Sequence, residues 1–247
     1  LLRAVRLIPA ALLSRISARN QSQQARLAEG FHIPVLDLYE LAKLTEDKEP
    51  EMSISITATL PLAAAADAKI VMFKQPANRE EHFAILVGKI SPQTPPLVRL
   101  HSQCVTGDIL GSLKCDCGPQ LQAALKQMKD AGGGILLYLA QEGRDIGLLN
   151  KIRAYALQDA GLDTVDANHR LGFEADERVF SPAAAMLKAL GVTTIKLMTN
   201  NPDKLGQLGK YGITINQRIS LSLPANPHNH DYLETKKVRT GHLIESE

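Results

Sequence analysis

Cys104, Cys115 and Cys117 are the only cysteines of the chain and lie within fourteen residues of one another. An odd, tightly clustered set is a poor disulfide framework and a good metal site, and it suits a reducing compartment such as the cytoplasm. Thiolates favour Zn²⁺, and two of them flanking a single residue can reach one ion. Three protein ligands leave the fourth tetrahedral position open, which is what a catalytic zinc needs in order to hold water and lower its pKa towards ~7. The plainer alternative is three buried cysteines acting as small hydrophobes. The run Lys114-Cys115-Asp116-Cys117-Gly118 is too polar for a buried strand and argues against it. A closing ligand from His101 or Asp108 would make the site structural, and spacing alone leaves that open.

The elements that must position these residues fall into two kinds. Ser53–Leu60 alternates apolar and polar residues, the period of a half-buried strand. Ala68–Phe73, His82–Ile90 and Leu97–His101 are rich in β-formers, so the part before the cysteines reads as mostly antiparallel sheet. After Cys117 helix and strand alternate. Pro119 opens a helix closed by Gly132-Gly133-Gly134, and Ile135–Leu139 is a buried strand. Asp145–Ala160 has helical spacing, and Ser181-Pro182 starts a helix that ends at Gly191. Val192–Met198 and Ile213–Ile219 are strands flanking a helix from Lys204 to about Tyr211. The expected fold class is α+β or α/β: a mixed sheet with an antiparallel N-terminal part, an alternating helix–strand C-terminal part, and the zinc site at their junction.

The 247 residues suffice for one large domain or two small ones. A formal charge of +2 and only 4% aromatic residues, with no Trp, give neither a basic field nor a stacking platform, so nucleic acid is not an expected partner. No apolar run approaches the length of a membrane span. Residues 1–50 differ from the rest: a short helix over Pro9–Ala18, an extended piece over Phe31–Leu38, a second helix near Leu38–Leu44, and a polar linker over Thr45–Pro50. A boundary is expected at about residue 50, with the catalytic domain over 51–247. The opening Leu1, in place of Met, reads as part of a longer protein.

Several long segments carry a resemblance. They are Arg99-Leu100-His101-Ser102-Gln103-Cys104-Val105-Thr106-Gly107-Asp108, Leu113–Gly118, Gln141-Glu142-Gly143-Arg144-Asp145-Ile146-Gly147-Leu148-Leu149-Asn150-Lys151, Asp166–His169, Phe173–Arg178 and Thr199-Asn200-Asn201-Pro202. In this order they resemble the GTP cyclohydrolase II family, from about residue 53 to His242. The resemblance implies conversion of GTP to a 2,5-diamino-6-ribosylamino-pyrimidinone 5′-phosphate, formate and pyrophosphate, the opening step of riboflavin biosynthesis. It further implies one zinc per chain, Mg²⁺ on the substrate phosphates, and a homodimer. Residues 1–50 resemble the tail of the dihydroxybutanone phosphate synthase domain that many bacteria fuse ahead of this enzyme.

Residue by residue, Cys104, Cys115 and Cys117 match the family's zinc ligands, and Tyr155 matches its tyrosine at the ring-opening site. Asp176 and Arg178 match its proton acceptor and proposed nucleophile. An arginine is a poor nucleophile by itself, so clamping the α-phosphate is the physically safer role for Arg178. Substrate contacts are implied for Arg99, Leu100, His101, Ser102, Gln103, Gln120, Glu142, Gly143, Arg144, Thr164, Thr199 and Lys204. Glu142 suits guanine N1–H and the 2-amino group, or the magnesium. The family usually carries Glu at the position of Gln103, which is near-isosteric and keeps the hydrogen bonds. Two other readings compete: a cyclohydrolase-like paralogue with altered substrate or a partial reaction, and a non-enzymatic zinc module. His228 and His230 sit in a polar tail and are assigned no chemistry.

Overall fold

The computed structural model of the chain describes residues 6–10, 21–32, 49–75, 80–91 and 93–229, together with 234, 237, 239 and 241. Most of the helix expected over Pro9–Ala18, the second helix near Leu38–Leu44 and most of the linker lie outside the described residues. So does most of the extended piece expected over Phe31–Leu38; between these stretches the described residues form α1, Gln21–Gly30.

Seven strands form one mixed sheet in the order β1-β2-β3-β5-β4-β6-β7. They are β1 Ser53–Thr59, β2 Lys69–Lys74, β3 Phe83–Gly88, β4 Leu97–Ser102, β5 Gly133–Leu139, β6 Thr194–Met198 and β7 Thr214–Ile219. From β1 to β5 the pairings are antiparallel, and from β5 through β4 and β6 to β7 they are parallel. The α/β class is therefore as expected, with one difference. β4 belongs to the parallel half, between β5 and β6, rather than to the antiparallel run that precedes it in sequence. Its apolar composition is the same in either setting, so only the crossover through α2 (Cys117–Asp130) decides its direction.

β4 and β5 are buried almost throughout, as central strands covered on both faces must be. Period-two alternation divides their side chains. Val98, Leu100, Ile135, Leu137 and Leu139 pack with Phe180, Ala183, Met186 and Leu187, at the start of and along α5 (Ser181–Ala189). Leu97 and Leu136 pack with Ala124, Leu125 and Met128 of α2. The same alternation turns Arg99 and His101 towards the α2 face. β1 differs from its expected half-buried state: all seven residues are exposed, including Ile54 and Ile56, and β1 is the edge strand of the sheet.

Three further helices follow the parallel strands: α3 Gly147–Asp159, α4 Thr164–Arg170 and α6 Pro202–Lys210. α4 is too short to show helical periodicity in sequence. Its Asp163 cap accepts the Val165 and Asp166 amides. Among the described residues no helix is long and apolar enough to cross a membrane.

Candidate functional site

The loops leaving the carboxyl ends of β4, β5 and β6 meet over one solvent-open cleft. Parallel strands in register (His101 beside Tyr138, Ser102 beside Leu139) place these ends side by side, where α/β sheets bind ligands. The loop after β4 brings Gln103 and Cys104, the loop after β5 brings Gly143 and Arg144, and the loop after β6 brings Thr199, Asn200 and Asn201.

At one end the three cysteine sulfurs lie within 4.8 Å of one another. Cys104 opens a single π-helical turn, Val105–Ile109, whose Gly107 N–H donates to the Cys104 sulfur at 3.3 Å. Cys115 Sγ stands 3.8 Å from Cys104 Sγ, and Cys117 begins α2. The Cys104 thiol is held far below its ordinary pKa by hydrogen bonds from Cys115 and Cys117, with Lys151 and Thr106 adding to them; the Cys115 thiol is pushed up by the same contact with Cys104. This soft, sulfur-rich donor set fits zinc. Among the described residues no His or carboxylate joins the three sulfurs as a clustered ligand. The two side chains that spacing left open as closing ligands are engaged elsewhere. His101 Nε2 lies 3.0 Å from both carboxylate oxygens of Asp108, which also accepts from Tyr138 Oη at 2.8 Å and from the Cys104 amide at 3.1 Å. Burial lowers the His101 pKa and favours the neutral ring. Asp108 and His101 thus brace the cysteine turn from beneath.

Lys151 and Tyr155 stand four residues apart on one face of α3. The Lys151 ammonium donates to Cys104 Sγ at 3.0 Å and to Glu142 Oε1 at 2.7 Å. Burial alone pulls its pKa down, but the bonds to Cys104 and Glu142 together carry it above the ordinary lysine value. The Lys114 and Lys151 ammonium groups lie over the Tyr155 ring, 5.2 and 5.9 Å from its centroid.

The rest of the cleft is cationic. Arg178 donates through Nε and Nη2 to the two oxygens of Asp176, at 2.8 and 2.5 Å. Its Nη1 lies 3.4 Å from Ser102 Oγ, and its guanidinium lies over Phe180. Burial raises the Asp176 pKa, but the charge and hydrogen bonds of Arg178 outweigh it and leave the carboxyl below its usual range. Lys204, buried on α6, donates to the Leu100 carbonyl at 3.0 Å. Arg99 is bonded to Gln120 and to the Met198 carbonyl, and burial pulls its guanidinium down to about 10. Arg144 donates to the Ala175 carbonyl at 2.8 Å.

Of the residues singled out from sequence, the cleft gathers Arg99, Leu100, His101, Ser102, Gln103, Gln120, Gly143, Arg144, Tyr155, Thr164, Arg178, Thr199, Lys204 and the three cysteines. Glu142 and Asp176 do not line it. The Glu142 carboxylate is buried, accepting from the Val105 amide at 2.7 Å and from Lys151, and Asp176 supports Arg178. Lys151, Asp116, Gln158 and Asn168 also line the cleft and were not foreseen. Asp116, Lys151 and Asn168 lie within the segments that carry the family resemblance, and Lys151 also stands one turn before Tyr155 on the same helix face; Gln158 carried no such signal.

The model of the family described as GTP cyclohydrolase II matches residues 53–220. The GTP cyclohydrolase-2 of Azospirillum brasilense is 46% identical over 244 residues, covering 99% of this chain and 63% of that protein. The GTP cyclohydrolase-2 of Enterobacter sp. (strain 638) is 57% identical over 178 residues, covering 72% of this chain and 91% of that protein. The chain thus spans less than two thirds of the first relative and most of the second. A crystal structure of a two-domain 3,4-dihydroxy-2-butanone 4-phosphate synthase from A. baumannii matches at 16% identity and a TM-score of 0.40, over 83% of this chain and 50% of that one, too slight a likeness to bear on fold or function. With the family match covering the whole sheet and the site built on it, the chain belongs to the GTP cyclohydrolase II family of hydrolases.

Proposed function

We propose that this chain hydrolyses GTP, opening its imidazole ring and releasing formate and pyrophosphate to leave 2,5-diamino-6-ribosylamino-4(3H)-pyrimidinone 5′-phosphate, the first step of riboflavin biosynthesis. The observation that carries the reading is that a three-thiol cluster and five cationic side chains (Arg99, Arg144, Lys151, Arg178 and Lys204) face one cleft, whose described lining includes a single carboxylate, Asp116. That charge balance suits a polyanion such as a triphosphate.

Cys104, Cys115 and Cys117 would hold zinc, which when bound supplies the Lewis acidity that lowers the pKa of water to ~7. Tyr155 stands at the same end, where its phenol can orient the attacking water or donate to the developing oxyanion. Glu142 acts indirectly, holding Lys151 against Cys104. At the other end both oxygens of Asp176 hold the Nε–Nη2 edge of Arg178, so that the guanidinium meets the α-phosphate preorganised. The amino end of α6, capped by Asn201, adds backbone donors beside Thr199 and Lys204. Mg²⁺ would enter with the triphosphate. The reading extends to a cytoplasmic homodimer, supported by the exposed apolar side chains of Ile54 and Ile56 on β1 and of Ile109, Leu110 and Leu113 beside the cysteine turn. It also takes residues 1–50 as the end of an upstream domain, supported by the Azospirillum match, which runs through nearly the whole chain.

Zinc-loaded protein incubated with GTP and Mg²⁺ should yield formate, pyrophosphate and a ring-opened pyrimidine, and Cys115→Ser should lose both zinc and turnover. Pyrophosphate without formate would favour the partial reaction. An intact purine, with Gln103→Glu equally inert, would sink the proposal.

A further inference from the structure

The loop that follows β5 holds its shape under backbone strain. Gly143, Arg144, Asp145 and Gly147 all have φ between +59° and +82°, and two of them carry side chains that disfavour this region. Such a conformation persists only where the surroundings over-determine it. One flank is explained by the site. The Glu177 amide donates to the Arg144 carbonyl at 3.2 Å, and Gln141 Nε2 donates to the Val179 carbonyl at 2.5 Å.

The other flank is closed by a residue far outside the matched family region. Arg6 donates to Asp145 Oδ1 at 2.7 Å, to the Ala140 carbonyl at 3.0 Å and to Glu80. Its own carbonyl accepts from Asn150 Nδ2 at 2.8 Å, at the first turns of α3. The fit is close as well as polar: a Cβ added at Gly147 would stand 3.1 Å from Arg6 Cδ. Both ends of the strained loop, and the helix that carries Lys151 and Tyr155, therefore meet one guanidinium and its backbone.

We propose that Arg6 is a positioning residue of the cyclohydrolase site: the upstream segment clasps the 141–147 loop and so fixes Gly143 and Arg144 for substrate. This rests on the reading of that loop as a substrate contact. Arg6 touches no substrate group itself and acts through Asp145 and Asn150. The segment preceding residue 53 thus serves the downstream chemistry whatever activity the upstream part has.

Hydrogen–deuterium exchange on the full zinc-loaded chain tests the clasp independently of any reaction. Arg6→Ala should raise exchange across residues 141–149 about tenfold or more, leaving α5 (Ser181–Ala189) unchanged, because only the loop and its direct partners lose their anchor. In parallel, kcat/KM for GTP should fall about tenfold, mostly through KM, with zinc content retained. Arg6→Lys should recover part of both through the Asp145 ion pair, and Arg26→Ala, at an exposed position of α1, should change neither. Unchanged exchange in Arg6→Ala overturns the clasp, as does a rise spread evenly over the molecule. Faster loop exchange with unaltered kcat/KM overturns the positioning role. Wild-type protein inert towards GTP would count against the proposed function alone, since the exchange result still judges the clasp.

Discussion

Gly107 shows how little room the cysteine turn leaves. A Cβ built there would stand 2.8 Å from Cys115 Sγ and 3.1 Å from Cys104 Sγ, so a methyl group would drive the sulfurs apart. Gly107→Ala is expected to weaken zinc binding by about tenfold or more, since metal sites tolerate only small changes in donor geometry; competition with a chromophoric chelator measures it. Affinity equal to wild type would mean that the turn can shift without cost. Arg178 invites a different test. Arg178→Lys keeps the charge but loses the two-point contact with Asp176, and kcat/KM for GTP should drop about 10- to 100-fold while zinc stays bound. If lysine serves equally well, the paired geometry is not what the site uses. These local roles were only partly legible in sequence. Residue type and spacing marked the cysteines and the family resemblance marked Arg178, whereas nothing local showed that the Glu142 carboxylate turns away from the cleft to Val105 and Lys151.

Elements differ in how much they contribute to stability. Leu137 is fully buried at the centre of the sheet, between Ala84 of β3 and Leu100 of β4 in the pairing register, and belongs to the cluster packed with α5. Leu137→Ala should cost about 2–5 kcal/mol in urea unfolding, the lost transfer energy plus an unfilled cavity. Ile56→Ala, on exposed edge strand β1, should change stability by no more than about 0.5 kcal/mol in the monomer. Comparable losses at the two positions would contradict this assignment of core and edge. The contrast was not readable from pattern: β1 alternates as a half-buried strand does, and its exposure follows from its place at the end of the sheet.

For the whole molecule, acid sensitivity follows from buried histidines. His82 is 2% exposed and accepts the Ala140 amide through Nδ1 at 3.0 Å, and burial lowers its pKa below the ordinary 6.5. The unfolded chain therefore binds the proton more readily than the folded one. Stability should fall as pH drops below about 6.5 and level off only beneath the lowered folded value. His82→Gln should flatten the slope of Tm against pH between about 6.5 and 5. A slope as steep as that of wild type would place the acid sensitivity elsewhere, His101 being the next candidate.

The linear sequence by itself determined the chemistry available: three cysteines at metal-binding spacing, and alternating helices and strands that imply parallel strand ends, with the phosphate-compatible cations marked by the family resemblance. Those are properties of residue type and short-range period, which survive without a fold. Only the tertiary structure decided that β4 runs parallel between β5 and β6, which side chains point into the cleft and which hold their neighbours, and that Arg6 reaches a loop more than a hundred residues away. Each depends on crossovers and contacts between distant segments, and neither hydrophobic period nor turn chemistry encodes those locally.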